Sequence, residues 1–391
     1  MRDTPSTDPA RLRIALVAPP MKAVPPAGYG GTERVVAALA DGLHARGHEV
    51  TVFATGDSDV AGRLIPIRDE SLWKDSYRGD ISGFLEIAAA RAWAHADEFD
   101  VIHSHLETHG FLFARHCPTP VVSTMHGRLD DAGTPELLPE FPDIPLVAIS
   151  RNQRRWWPDL NWVGTIHHGL DLAGSPFEKE PGPYLAVVGR VAREKGIAES
   201  IELARRTRWP LKMAAKALDP DEIVMRDEVI QPAVEEGVVE YLGELQPPER
   251  DKLFAGAFAT LMLGSWPEPF GLVAIESLAT GTPVIARRTG ALPEIVEEGV
   301  DGYLVDDLGE AQLALTRIGS LDRTEIRRRA LSRFSVERMT AEYEAVYRTV
   351  IAAPRRPRDV RRSWTLASGN GTARAARRQE TRPTAGTMRG G

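Results

Sequence analysis

What most limits the fold of this chain is a recurring unit. A short apolar run leads into a turn rich in Gly or Pro, then a segment of helical period, then another apolar run. Leu12–Ala18 opens the series, and it has no polar face, which suits a strand buried on both sides of a sheet. Residues 19–31 follow as a turn-rich loop. Thr32 is the expected N-cap of a helix through Val35, Val36, Leu39, Ala40 and Leu43 that ends near Gly47, and Glu49–Ala54 reads as the second strand. This strand–loop–helix–strand order is the unit of a doubly wound parallel sheet. Ile81–His95 then reads as a helix, and Asp100–His103, Val121–Thr124, Leu146–Ile149 and Trp162–His167 read as strands.

Residues 169–183 mix Gly, Pro and charge in the manner of a linker. A second series begins at Tyr184–Val188. Its further strands are Leu211–Ala215, Val238–Leu242, Ala257–Leu263, Thr282–Ala286 and Gly302–Val305, alternating with helices and closed by helices to about Val350. The expectation is an α/β chain of two doubly wound domains of comparable size, 11–168 and 184–333, with a last helix over 334–352. Residues 1–10 read as a loose leader.

Composition enters as a set of exclusions. The net charge of −7 over 391 residues gives no reason to expect specific nucleic-acid binding. No apolar run approaches the roughly 18 residues of a membrane span, and Leu12–Pro20 lacks a cleavage pattern. The single cysteine, Cys117, excludes an internal disulfide and fits a reducing cytoplasm, so a cytoplasmic location is expected. From 353 to 391 the chain turns basic. Ten arginines face only Asp359 and Glu380, which leaves about +8 there and −15 for the rest. So few apolar residues predict disorder; the arginines suit a solvated tail without function, with weak contact to an anionic membrane or to nucleic acid as the alternative.

The richest chemistry lies in Trp266–Ala286. Glu268 is held between Pro267 and Pro269 in stiff extended backbone, and Glu276 follows on a helix whose first free amides begin near Gly271. Amides at a helix start attract phosphate. The two carboxylates are expected more than about 10 Å apart, beyond the spacing of paired glycosidase acids, which reads as two ligand contacts and not an acid/base couple. Gly189-Arg190 and Lys195-Gly196 follow the first strand of the second series and offer a guanidinium fork and an ammonium to a diphosphate. The Gly28–Glu33 loop suits a structural turn and a phosphate contact equally. His126 stands just past a strand, where ligands bind in open α/β sheets, and core packing is the equal alternative. His103-Ser-His105 and His167-His168 are pairs without further ligands, so no metal site is expected.

These motifs, in this order, resemble glycosyltransferase family 4: Gly30-Gly31, Asp100–His105, His126-Gly127, Gly169-x-Asp171, Arg190 with Lys195-Gly196, Glu268-Pro-Phe-Gly through Glu276, and Gly290-x-x-Pro293-Glu294. The resemblance covers about residues 12–350. It implies a GT-B fold, in which two Rossmann-like domains face across a cleft and a C-terminal helix crosses back to the first. It further implies a retaining, metal-independent hexosyltransferase using a UDP- or GDP-sugar as co-substrate, with no cofactor. The acceptor would lie on the first domain.

By position, Arg190 and Lys195 would grip the diphosphate, helped by the amides of Gly271, Leu272 and Val273 beside Phe270. Gly31, next to Gly30, would bring its amide to the β-phosphate. Glu276 would hold the ribose and Glu268 the transferred sugar, with His126 near the reacting centre. The base would lie against Val239, Tyr241 and Leu242. One departure stands out: Lys216-Ala-Leu-Asp-Pro follows a strand where relatives have a Gly-rich turn, and Lys216 would be a third cation near the phosphates. A nucleotide-sugar epimerase and a non-catalytic nucleotide-sugar-binding protein remain as alternatives.

Overall fold

A computed structural model describes residues 11–353 apart from Tyr29, Asp75, Ser76, Arg78 and 131–133. The expected leader (1–10) and all but the first residue of the basic tail lie outside the described residues. The first seven strands are β1 (Arg13–Val17), β2 (Glu49–Thr55), β3 (Arg63–Arg68), β4 (Val101–Ser104), β5 (Val121–Met125), β6 (Leu146–Ala148) and β7 (Trp162–Thr165). They form one sheet in the order β3-β2-β1-β4-β5-β6-β7. A six-stranded sheet follows, in the order β10-β9-β8-β11-β12-β13. Its strands are β8 (Leu185–Arg190), β9 (Leu211–Lys216), β10 (Val239–Tyr241), β11 (Ala259–Met262), β12 (Val284–Arg287) and β13 (Gly302–Val305). Every pairing is parallel, as expected when helical crossovers join apolar strands covered on both faces.

Strand β3 is a correction: it has no counterpart among the strands expected from the sequence. Pro66 and the flanking Arg63 and Arg68 mask it. It pairs only with β2, and an edge position tolerates a proline that a central strand would not. Thr32 is a second correction: helix α1 (Gly31–Ala45) starts two residues earlier than an N-cap at Thr32 implies, with Gly30 at the N-cap and no side-chain cap. The helical stretch between β9 and β10, residues 220–235, carries one π-helical turn at Arg226–Ile230.

In each sheet the strand order reverses at one point, between β1 and β4 in the first and between β8 and β11 in the second. Loops leaving the carboxyl ends of those strands run in opposite directions and open a crevice. The loops concerned carry Gly30-Gly31 and His105 in the first sheet, and Arg190–Lys195 and Gly264–Gly271 in the second. Below the crevice the apolar core is continuous from one sheet to the other, since Leu39 and Val122 belong to the same buried cluster as Phe270, Leu292 and Tyr343. The last described helix, α4 (Val336–Ala352), crosses back onto α1 and the first sheet and buries Met339, Tyr343, Val346 and Tyr347 there.

Candidate active site

The second-sheet half of the site is set by glycines packed back to back. A Cβ on Gly264 would lie 2.9 Å from Lys195 Cα and against the Glu194 carbonyl, and one on Gly196 would lie 2.8 Å from Gly264 Cα. The turn Arg193–Lys195 therefore rests directly on the strand-end loop after β11, and Trp266 N donates to Glu194 O at 3.1 Å. This approach places the Lys195 ammonium in contact with Glu268 Oε1. Gly290, at φ +59°, supports Glu268 from beneath: a Cβ there would sit 2.5 Å from the Glu268 carbonyl, which accepts the Ala291 amide at 2.8 Å. Arg190 is oriented by Glu222, 2.8 Å away, and Glu222 is itself fixed by the Leu218 amide at 2.9 Å.

Helix α3 (Leu272–Ala279) begins at Gly271, which has φ 109° and no side-chain cap. The uncapped start of α1 meets it head-on, since a Cβ on Gly31 would lie 3.3 Å from Leu272 Cδ1. Two helix starts with unpaired amides thus converge on one cavity of about 240 Å³. Gly31, His126, Arg190, Lys195, Glu268, Phe270, Gly271, Leu272 and Val273 all line it.

The first sheet supplies a column of imidazoles. His105 Nδ1 is 2.9 Å from His126 Nε2, and the His126 ring stacks on His168 with centroids 5.3 Å apart. His103 lies behind, 4.0 Å from His105 between centroids, bonded to Tyr347 Oη and Thr124 Oγ1 at 2.7 Å each. Burial holds all four rings neutral, with His126 pushed down to about 3 and the others well below the usual range. The His126 backbone is clamped from two sides. Glu107 Oε1 accepts the His126 and Gly127 amides at 2.9 and 3.0 Å, while Gln153 Nε2 donates to the Met125 and Gly127 carbonyls at 2.8 and 2.7 Å. Glu107 holds φ 55°, a left-handed conformation unusual for a residue with a side chain. Burial pushes its carboxyl up to about 7 against the pull of the two amides.

The remaining expected residues do not line this cavity. Glu276 is buried, its carboxylate paired with Arg34 of α1 at 2.5 Å and with Arg250 of α2 (Pro247–Ala255) at 2.9 Å. Lys216 is turned to Glu244 at 3.0 Å and toward the Trp73 ring at 5.8 Å. Tyr241 donates its hydroxyl to Ala215 O at 2.7 Å, and Leu242 N is engaged by Met213 O at 2.8 Å. Val239 is buried in the core, and Gly30 stands just behind Gly31. For Lys216, Val239, Tyr241 and Leu242 the reason is positional: β9 and β10 lie on the far side of β8 from the crevice.

The sequence reading gave no role to Glu107, Arg34 and Arg250, and took His105 and His168 only as members of pairs without further metal ligands. Only the His103-x-His105 alternation, which puts both rings on one face of a strand, signalled any of them. Two more contacts across the crevice also escaped it: the Arg128 guanidinium over the Trp266 ring at 4.5 Å, and the Glu294 carboxylate, which accepts the Arg151 and Asn152 amides at 2.9 and 2.7 Å. Among the described residues no group of His, Cys, Asp and Glu has the arrangement of a metal site.

Two facing parallel sheets, with cations and uncapped helix starts at their switch points, make up a GT-B fold. The chain belongs to glycosyltransferase family 4. The models for Glycosyltransferase Family 4 and Glycosyl transferases group 1 match residues 29–185 and 173–334. It is similar to the D-inositol 3-phosphate glycosyltransferases of Frankia alni (30% identical over 73% of this chain and 84% of the relative) and of Mycolicibacterium smegmatis (26%, over 79% and 82%). Among solved structures it resembles AviGT4, a glycosyltransferase involved in avilamycin A biosynthesis, with a TM-score of 0.65 and 26% identity over 88% of this chain and 99% of that one. The Anabaena HepE structure in complex with UDP and glucose shares the fold, with a TM-score of 0.66 and 18% identity over 88% of this chain and 100% of that one. No helix among the described residues is long and apolar enough to cross a membrane.

Proposed function

We propose that the chain transfers a hexosyl group, with retention, from a nucleotide diphosphate sugar to an acceptor hydroxyl. The observation carrying this reading is the convergence of the α1 and α3 starts with Arg190 and Lys195 on one cavity, a set of positive partial and full charges suited to a diphosphate. The relatives' names and the UDP held by HepE support a nucleotide-sugar donor. Glu268 takes the hydroxyls of the transferred sugar, and His126 stands over the same space from the first sheet. The cations do the work a metal does in other transferases, so transfer proceeds without one.

In the reaction the bond from the anomeric carbon to the β-phosphate oxygen breaks while the acceptor oxygen bonds to the same face of that carbon. The acceptor's proton passes to the leaving phosphate oxygen. Arg190, Lys195 and the helix amides stabilise the charge that grows there, and one such preorganised donor is worth about 2.7–4 kcal/mol of barrier. Glu276, beside the cavity and not lining it, holds the ribose only where its pairs with Arg34 and Arg250 are exchanged for the hydroxyls.

The test is titration calorimetry with UDP, GDP and ADP, followed by NMR of products formed from the matching sugars with and without a chelator. Binding of one diphosphate and a product of unchanged anomeric configuration, insensitive to chelator, is the expected result. An inverted product, a requirement for metal, or isomerisation of the donor sugar without transfer overturns the reading.

A further inference from the structure

We propose that His105 fixes the tautomer of His126, holding His126 Nε2 as a hydrogen-bond acceptor and thereby presenting an Nδ1–H donor to the cavity. The contact between His105 Nδ1 and His126 Nε2, 2.9 Å, needs one proton between two neutral rings. If His126 supplied it, His105 would accept at Nδ1 and carry its own proton on Nε2. That nitrogen is buried and meets no partner among the described residues. The alternative leaves only a lone pair there. Orphaned buried N–H groups are rarer than under-satisfied acceptors, so the proton belongs on His105 Nδ1. His126, neutral and accepting at Nε2, then has its single proton on Nδ1. The cavity is lined by His126, and its Nδ1 is not among the buried side-chain atoms left without a partner.

Geometry around the pair leaves little freedom to escape this arrangement. The His126 backbone is held by Glu107 and Gln153, and its ring is stacked against His168. His105 is pressed against His103, whose two nitrogens are both engaged by hydroxyls. Burial keeps the rings neutral, so a second proton on the pair is disfavoured.

The consequence deepens the proposed function and rests on it. A His126 that meets substrate with a proton cannot be the base for the acceptor hydroxyl. It donates to a sugar hydroxyl or to the leaving oxygen, and the acceptor's proton is left to the phosphate. His105 is thus a positioning residue acting through His126.

The test is long-range proton–nitrogen correlation NMR on the full chain with 15N-labelled histidine, which separates the two neutral tautomers by their nitrogen shifts. The His126 signals are assigned by their loss in His126→Gln. A protonated Nδ1 and bare Nε2 for His126 in the wild type is the expected result, and the opposite pattern overturns the proposal without any variant at His105. In His105→Asn, whose amide can still donate, the tautomer persists. In His105→Phe it becomes mixed, and kcat falls about tenfold or more with donor KM within a factor of two. An unchanged kcat in His105→Phe also overturns it. Should the expected tautomer be seen while no nucleotide sugar binds or reacts, the functional reading fails and the tautomer assignment stands.

Discussion

The close approach of Gly264 to the Lys195 turn supports a sharp test. In Gly264→Ala the new methyl carbon would stand 2.8 Å from Lys195 C and 2.9 Å from Lys195 Cα, and against the Glu194 carbonyl, all backbone atoms that cannot rotate away. Ordinary contact begins at 3.4 Å, so the turn must retreat by about half an ångström or more. Overpacking of this kind typically costs about 1–3 kcal/mol. The chemical effect should exceed that cost. The ammonium of Lys195 leaves Glu268 and the cavity, and misplacement on the order of an ångström can cost as much as ~10²-fold in rate. We expect kcat/KM for the donor to fall by roughly 10–10²-fold in protein that still unfolds in one cooperative transition. Gly174→Ala, where nothing lies within 4 Å of the added atom, serves as the control and should match the wild type. Steady-state kinetics and calorimetric melting on the same preparations decide it. A Gly264→Ala protein with wild-type kinetics and melting would refute the argument that this contact builds the site.

Other perturbations have defined directions. Lys195→Ala should lower kcat with the true donor by on the order of 10²–10³-fold while leaving the melting temperature within a few degrees; unchanged turnover would remove Lys195 from the mechanism. Breaking the Glu276 pairs with Glu276→Ala strands Arg34 and Arg250 against each other, and urea unfolding should show a loss of about 2–4 kcal/mol. Glu107 has its folded pKa raised from 4.5 to about 7, so its stabilising contribution is full below pH 4.5 and lost as pH rises through 7. Melting of Glu107→Gln should therefore gain on the wild type between pH 5 and pH 8, and a flat difference would contradict the assignment. For His126, lowered from 6.5 to about 3, the sign is opposite. Its contribution is present above pH 6.5 and lost as pH falls toward 3, so the wild type should lose melting temperature steadily below pH 6, less so in His126→Gln.

Much of this molecule was readable from residue order because its strands are buried on both faces and its turns carry glycine. Twelve of the strands follow apolar runs that no other element explains. The thirteenth, β3, hid behind Pro66 and two arginines, since an edge strand needs neither continuous apolarity nor a full ladder of amides. The cavity residues Gly31, His126, Arg190, Lys195 and Glu268 were legible because each stands at the end of a strand, and strand ends converge at a switch point whatever the loop does. What could not be read is pairing across the crevice. Arg34 reaching Glu276, or Tyr347 reaching His103, joins residues hundreds of positions apart, and nothing local in either sequence marks the partner. Lys216 shows the converse error: a cation of the right type near the right strand end, drawn away by Glu244.

Helix α4 has a consequence for how the chain is made. Tyr343 and Tyr347 close over Thr124 and His103, and Arg338 donates to the His167 and His168 carbonyls at 2.6 and 3.1 Å. Gly42 and Gly169 are pared to backbone so that Thr340 and Ser335 can press against them. This cover of the first sheet is thus encoded after the whole second sheet. During synthesis the first sheet lacks this cover, and His103 its Tyr347 partner, until helix α4 has left the ribosome. The neutral, dry state of His103 therefore depends on a helix made after both sheets.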